Sequence, residues 1–257
     1  MKIVLIGSGN LATHLAIALN ASGNEIAQIF SRTLENAKSL AEKTGARYTD
    51  DVEQIDCNAD LYIFSVKDDT LPEILKRMPK TKGIWVHTAG SVPINVFVPY
   101  TDNYGIIYPL QTFSKNKTVN FADILVFIEG SNTETIHSLE TLAKSISKNI
   151  SYLSSEKRQY LHLAAVFVCN FTNHLYTLSA EILEKEDIPF DVLKPLIMET
   201  ATKVMELSPK AAQTGPAVRF DETVMSKHID LLTDGDMKYI YKILSESIYK
   251  HMLAIVD

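Results

Sequence analysis

Residues 3–19 constrain this chain more than any other stretch. Ile3-Val4-Leu5-Ile6 is a short, mostly β-branched apolar run of the kind that forms a buried strand. It breaks at once into Gly7-Ser8-Gly9-Asn10-Leu11-Ala12, and Leu11, Ala12, Leu15, Ala16 and Leu19 then recur at helical spacing. Strand, glycine turn and helix follow in the order that a dinucleotide-binding βαβ unit requires. Gly7 permits the tight turn, Gly9 leaves room for a pyrophosphate against the backbone, and Ala12 lets the helix pack close to the strand. From Ser8 to Leu11 the opening of the helix offers free N–H groups and a positive dipole end to that phosphate. A strand–helix turn that binds nothing can carry the same letters, so the surroundings of the turn have to decide.

A second strand, Glu25 to Phe30, ends at Ser31-Arg32-Thr33. In NAD enzymes a carboxylate about 20 residues past the glycine turn accepts from the ribose 2′-OH. Here that place holds a guanidinium flanked by two hydroxyls, which suits a 2′-phosphate and predicts NADP(H) as the cofactor. A helix from Leu34 to Lys43, closed by Gly45, leads to a short strand at Arg47–Thr49. The run Leu61–Val66 is a buried strand that brings Ser65, Val66 and Lys67 to the carboxyl edge of the sheet, where open α/β sheets hold their ligands. The strand Gly83–His87 delivers Thr88, Ala89, Gly90 and Ser91 to that edge, and the small residues there leave room for a nicotinamide ring. Strands at Tyr104–Tyr108, Ile124–Ile128 and Ile150–Leu153, with a helix from Thr133 to Ser147, complete a doubly wound sheet of about eight strands.

From Lys157 onward only helical periodicity remains. One long helix reaches Lys185, a second spans Asp191 to Leu207, and two more follow Asp221 and Asp236, with Asp191, Asp221 and Asp236 as candidate N-caps. The expected class is therefore α/β with an all-α addition: residues 1–153 form a nucleotide-binding domain, and 154–257 a helical domain for substrate contacts and dimerisation. A formal charge of −6 argues against nucleic acid as a partner. Cys57 and Cys169 lie far apart without CxxC spacing, which fits reduced thiols in a cytoplasmic protein and neither a disulfide framework nor a metal site. The most apolar stretch, Leu161–Leu178, contains His162, Asn170, Asn173 and His174, too many polar groups for a membrane span.

Those four residues fall on one stripe of an ideal helix and suit the wall of a substrate cleft between two domains, or equally a satisfied polar seam in a bundle. Hydride transfer to a small-molecule substrate needs one acid to protonate the product. The candidates are His162 first, with His87 and Tyr108 as alternatives, although His87 also reads as a histidine bonded at a strand end. Gln111, Asn170 and Arg219 are candidate substrate contacts, since an arginine beyond Thr214-Gly215-Pro216 can hold a carboxylate or pair internally with Asp221.

With these residues in view, the chain resembles the superfamily of pyrroline-5-carboxylate reductases and 6-phosphogluconate dehydrogenases. More closely, it is similar to a largely uncharacterised group of NADP oxidoreductases with a Rossmann-type domain and a helical domain of unknown function. The closer likeness is carried by His87–Ser91, Tyr108–Phe113, the helix from His162 to His174, and Thr214-Gly215-Pro216 with Arg219 and Asp221. The resemblance implies an NADP-linked reductase that dimerises through its helical domain, and it names no substrate. One departure matters: β-hydroxyacid dehydrogenases carry a lysine one turn before an asparagine, whereas Val166 and Cys169 stand four residues before Asn170 and Asn173. The expected activity is reduction of a C=O or C=N bond of a small carboxylate-bearing metabolite where the two domains meet. An NADP(H)-binding regulatory protein without catalysis is the competing expectation, with a methyltransferase and a deazaflavin-linked reductase behind it.

Overall fold

The computed structural model describes residues 1–253 and divides the chain into two compact units, Met1–Phe167 and Val168 onward. The first is built on an eight-stranded sheet of order β3-β2-β1-β4-β5-β6-β7-β8. Its strands are β1 (Lys2–Ile6), β2 (Glu25–Phe30), β3 (Arg47–Thr49), β4 (Leu61–Phe64), β5 (Ile84–His87), β6 (Tyr104–Pro109), β7 (Leu125–Gly130) and β8 (Asn149–Tyr152). The first six run parallel, while β7 lies antiparallel to β6 and carries β8 parallel to itself. The strand order turns back on itself between β1 and β4, and in an open α/β sheet that switch point opens the crevice for a ligand.

Side chains alternate across each strand and so fill two cores. Ile3, Leu5, Leu61, Ile63 and Val86 pack with helices α1 (Asn10–Ala21), α2 (Leu34–Thr44) and α4 (Thr133–Ile146). Val4, Ile6, Tyr62, Phe64 and Trp85 pack with α3 (Leu71–Arg77) and Phe97 on the opposite face. Covering both faces explains why β1 and β4 read as unbroken apolar runs and not as alternating ones. The eight strands and the helices α1, α2 and α4 stand where sequence patterning puts them, to within a residue or two at their ends. Gly45 ends α2 in the left-handed region at φ 71°. Strand β4 stops at Phe64, so Ser65 and Val66 belong to the turn beyond it.

The long helix expected up to Lys185 is three pieces. Helix α5 (Ser155–Ala165) is capped by Ser154, whose hydroxyl accepts from the Lys157 amide. A π-helical segment, Val166–Phe171, interrupts it before α6 (Thr172–Glu184). The i→i+5 bonding of that segment breaks the 3.6-residue spacing on which one polar stripe from His162 to His174 depends.

The described residues of the second unit form helices joined by short loops, with no strand among them: α6, α7 (Lys194–Glu206), α8 (Pro209–Ala212), α9 (Glu222–Leu231) and α10 (Gly235–Leu253). Of the three expected caps only Asp221 serves, accepting from the Val224 amide at 3.2 Å. Asp191 instead precedes α7 and forms an ion pair with Lys194. Asp236 yields to Asp234, whose carboxylate accepts the Met237 amide at 2.8 Å and fixes the start of α10 two residues earlier. Among the described residues the buried apolar side chains of this unit are Ala217, Met225 and Met237, whereas Met205 and Leu231 are 86% and 81% exposed. No helix among the described residues is long and apolar enough to cross a membrane.

Candidate functional site

At the carboxyl edge of the sheet the first unit opens a cavity of about 810 Å³. The glycine turn forms its floor. Gly7 takes φ +124°, and an added Cβ would sit 2.1 Å from the Ser65 carbonyl oxygen, so the turn after β1 can seat against the turn after β4 only as glycine. Nothing lies within 4 Å of a Cβ placed on Gly9, which leaves its backbone open on the cavity side. Gly7, Ser8, Gly9, Asn10 and Leu11 all line the cavity. The Asn10 side chain is committed elsewhere, its amide donating to the Phe113 carbonyl at 2.9 Å.

Ser31, Arg32 and Thr33 form one end of the cavity. The Ser8 hydroxyl donates to that of Ser31 at 2.8 Å, which leaves the Ser31 proton available to a ligand. Arg32 is exposed and engages no acid among the described residues. Ser65, Val66, Lys67, Thr88 and Ala89 form the wall between the two turns. The Thr88 hydroxyl donates to Ser65 at 3.2 Å and ties the ends of β4 and β5 together.

Tyr108 and His162 meet at the far end. The Tyr108 hydroxyl lies 3.0 Å from His162 Nδ1, the rings stand edge to face, and both line the cavity together with Gln111. Tyr108 is buried in a small cluster with Ile106 and Phe127, against which Leu161 of α5 packs. His162 is seated directly on Gly90, where an added Cβ would come within 2.4 Å of the imidazole. Gly90 thus makes room for a histidine 72 residues downstream, while Ala89 and Gly90 still line the cavity.

Sequence reasoning missed what holds that histidine. The loop after β5 and the face of α5 run antiparallel and bond one to the other: Gly90 under His162, the Ser91 carbonyl to Gln159 Nε2 at 3.0 Å, the Val92 carbonyl to Arg158, and the Ile94 amide to Ser155 Oγ at 3.0 Å. Arg158 is fully buried and pairs with Glu129 of β7 at 2.8 Å, and Glu129 also accepts from Ser155 at 2.7 Å. The one legible hint was spacing, since Ser155, Arg158, Gln159 and His162 share a helix face.

His87 lies apart from the cavity. It is 1% exposed, its Nδ1 accepts from the Ala89 amide at 3.2 Å, and its Nε2 is buried with no hydrogen-bond partner. Burial, helped by the nearby Arg158 charge and opposed by the Pro93 carbonyl, pushes its pKa down to about 3. A histidine in that state is uncharged at neutral pH, and its side chain does not line the cavity. The remaining two candidates stand in the second unit: Asn170 is exposed in the π-helical segment, and Arg219 is exposed at the end of the turn Pro216–Arg219.

The chain matches two family models. Residues 2–86 match an NADP oxidoreductase, coenzyme F420-dependent family, and residues 124–248 match a domain of unknown function. A solved structure from Bacteroides fragilis, described as a "putative NADP oxidoreductase", is 49% identical, covers 97% of this chain and 98% of its own, and superposes with a TM-score of 0.91. More distant structures share the fold. An imine reductase from Myxococcus stipitatus, in complex with NADP⁺, is 16% identical over 100% of this chain and 94% of its own, with a TM-score of 0.67. A 1-pyrroline-5-carboxylate reductase from Streptococcus pyogenes is 16% identical over 97% of this chain and 98% of its own, with a TM-score of 0.64. No curated protein matches the chain.

Proposed function

Since the chain belongs to the NADP oxidoreductase family of the Bacteroides fragilis protein, we propose that it reduces a C=O or C=N bond of a small carboxylate-bearing metabolite in the cavity that Gly7 and His162 share. NADPH, when bound, supplies the hydride. The protein's part is to hold the dinucleotide, fix the substrate and deliver a proton. The open backbone of Gly9 and the first amides of α1 receive the pyrophosphate. Arg32, with the hydroxyls of Ser31 and Thr33, receives the 2′-phosphate, because a planar guanidinium can bond a phosphate at two oxygens. Thr88 and Ala89 border the reacting end. Lys67 and Gln111 line the same space and are available to a substrate carboxylate.

The observation that carries the reading is the Tyr108–His162 pair, 3.0 Å apart, at the wall of the cavity that the glycine turn floors. With the Tyr108 hydroxyl donating to Nδ1, the His162 proton sits on Nε2. As hydride adds to the substrate carbon, His162 gives its Nε2 proton to the substrate oxygen or nitrogen while Nδ1 takes the Tyr108 hydroxyl proton. The imidazole so stays neutral, and the resulting phenolate is reprotonated from solvent. Tyr108 holds the ring in the required tautomer. Two measurements test this. NADPH should bind more tightly than NADH, and Arg32→Ala should remove that preference. In a screen of cyclic imines and 2-oxo acids followed by NADPH oxidation, His162→Ala should lower turnover by about 100-fold with nucleotide affinity kept. A wild-type protein that binds neither nucleotide overturns the reading.

In this scheme residues 1–153 bind the dinucleotide, and 154–257 supply substrate contacts and the surface on which two copies associate. The exposed apolar side chains of the second unit support that last point.

A further inference from the structure

Apart from Gln111, the segment from Leu110 to Asn120, between β6 and β7, has no part in the scheme above. It follows Tyr108 and runs back to the first turns of α1, a hundred residues upstream, where three contacts pin it. Asn10 Nδ2 donates to the Phe113 carbonyl at 2.9 Å, His14 Nε2 bonds the Ser114 carbonyl at 2.9 Å, and the Phe113 ring lies between His14 and Phe121, with centroids 5.4 and 6.0 Å away. Two polar side chains of the helix opening are thereby bonded to main-chain carbonyls of this strap. The residue after the second anchor is Lys115. It lines the cavity with Gly9, Asn10 and Leu11, it is exposed, and it forms no ion pair among the described residues.

We propose that Lys115 is a cofactor-binding residue, which clamps the pyrophosphate of the dinucleotide from the side opposite the glycine turn. The reasoning is from charge and placement. A pyrophosphate carries two negative charges, and the glycine turn answers them with uncharged amides and a helix dipole. The cations lining the cavity are Arg32, Lys67 and Lys115. Arg32 stands with Ser31 and Thr33 after β2, and Lys67 follows β4. Lys115 alone is tethered, through Phe113 and Ser114, to the helix opening where the pyrophosphate is received. An ammonium suits this task, because it meets phosphate oxygens as a point charge and demands no fixed fork. Lys117, two residues on, lies outside this cavity, among Gln111, Thr112 and Asn120.

This inference rests on the nucleotide reading, and one titration separates the two. NADPH and NADH are titrated into the wild type, Lys115→Ala, Lys117→Ala and Arg32→Ala. A lost charge-assisted phosphate contact should weaken binding by about tenfold. Lys115→Ala should weaken NADPH and NADH alike, since both carry the pyrophosphate. Arg32→Ala should weaken NADPH alone, and Lys117→Ala neither. Three results overturn the assignment: Lys115→Ala within twofold of the wild type for both nucleotides, an effect of Lys115→Ala on NADPH only, or equal losses in Lys115→Ala and Lys117→Ala. A wild type that binds neither nucleotide removes the nucleotide site itself, and the clamp with it.

Discussion

A single imidazole, that of His87, sets much of how this molecule should respond to acid. Its pKa is about 3 in the folded state against 6.5 for an unperturbed histidine. Between those values the unfolded chain binds one proton that the native state refuses, so stability falls as pH falls. The slope from this group alone is about 1.4 kcal/mol per pH unit. Urea unfolding at pH 6.5 and pH 5.0 should therefore cost the wild type about 2 kcal/mol more than His87→Gln. Equal losses would show that His87 is accessible to protons in the native state. At this scale the sequence was half legible. A histidine bonded at a strand end could be read from its position after Trp85-Val86, but its lowered pKa depends first on burial and then on the charge of Arg158, which approaches from 71 residues away. Long-range burial of that kind has no local signal.

At the scale of elements, α5 is held to the sheet by polar bonds as much as by apolar packing. Replacing Arg158 with methionine would leave the Glu129 carboxylate buried with only Ser155 to bond it. That should cost about 3–5 kcal/mol, and much of the loss should return in the double variant Arg158→Met/Glu129→Gln, which buries no charge. Urea midpoints of the two variants check this, and equal midpoints would mean that the ion pair bears little on stability. The elements themselves were legible to different degrees. Helix α1 declares itself through Leu11, Leu15 and Leu19, and the strands through apolar runs that a doubly covered sheet demands. The π-helical segment did not, because Val166-Phe167-Val168-Cys169-Asn170-Phe171 offers no spacing that separates i→i+5 from i→i+4 bonding. Asp221 caps α9 as expected, whereas Asp236 failed as a cap for a related reason. Asp is favoured both at the cap and in the first turn, so Asp234 and Asp236 compete for one role, and only geometry chooses between them.

For the whole molecule, the contrast between the two units is the main fact. The first buries two full cores, whereas the described residues of the second bury Ala217, Met225 and Met237 and leave Val168, Leu196, Met198, Met205 and Leu231 more than half exposed. A unit with so few buried side chains gains little from burial by itself. Sedimentation at micromolar concentration should find two copies together, and Leu231→Glu should shift them toward monomer. A wild type that sediments only as monomer would remove the dimer. Strand periodicity stops near Leu153, whereas the first compact unit runs on through α5 to Phe167, because long-range contacts such as Arg158 with Glu129 join that helix to the sheet. The cavity was legible wherever local chemistry marks it, at Gly7, Gly9 and Arg32, and illegible wherever the fold supplies a distant neighbour, as with Lys115. The placing of β1 between β2 and β4 has a consequence for biosynthesis. As the chain leaves the ribosome, β1 gains its first neighbour from β2, and the glycine turn gains its seat when the Ser65 carbonyl emerges. His162 follows about a hundred residues later. A nascent chain can thus shape its glycine turn well before it acquires His162, so the two ends of the cavity take form in separate stages of synthesis.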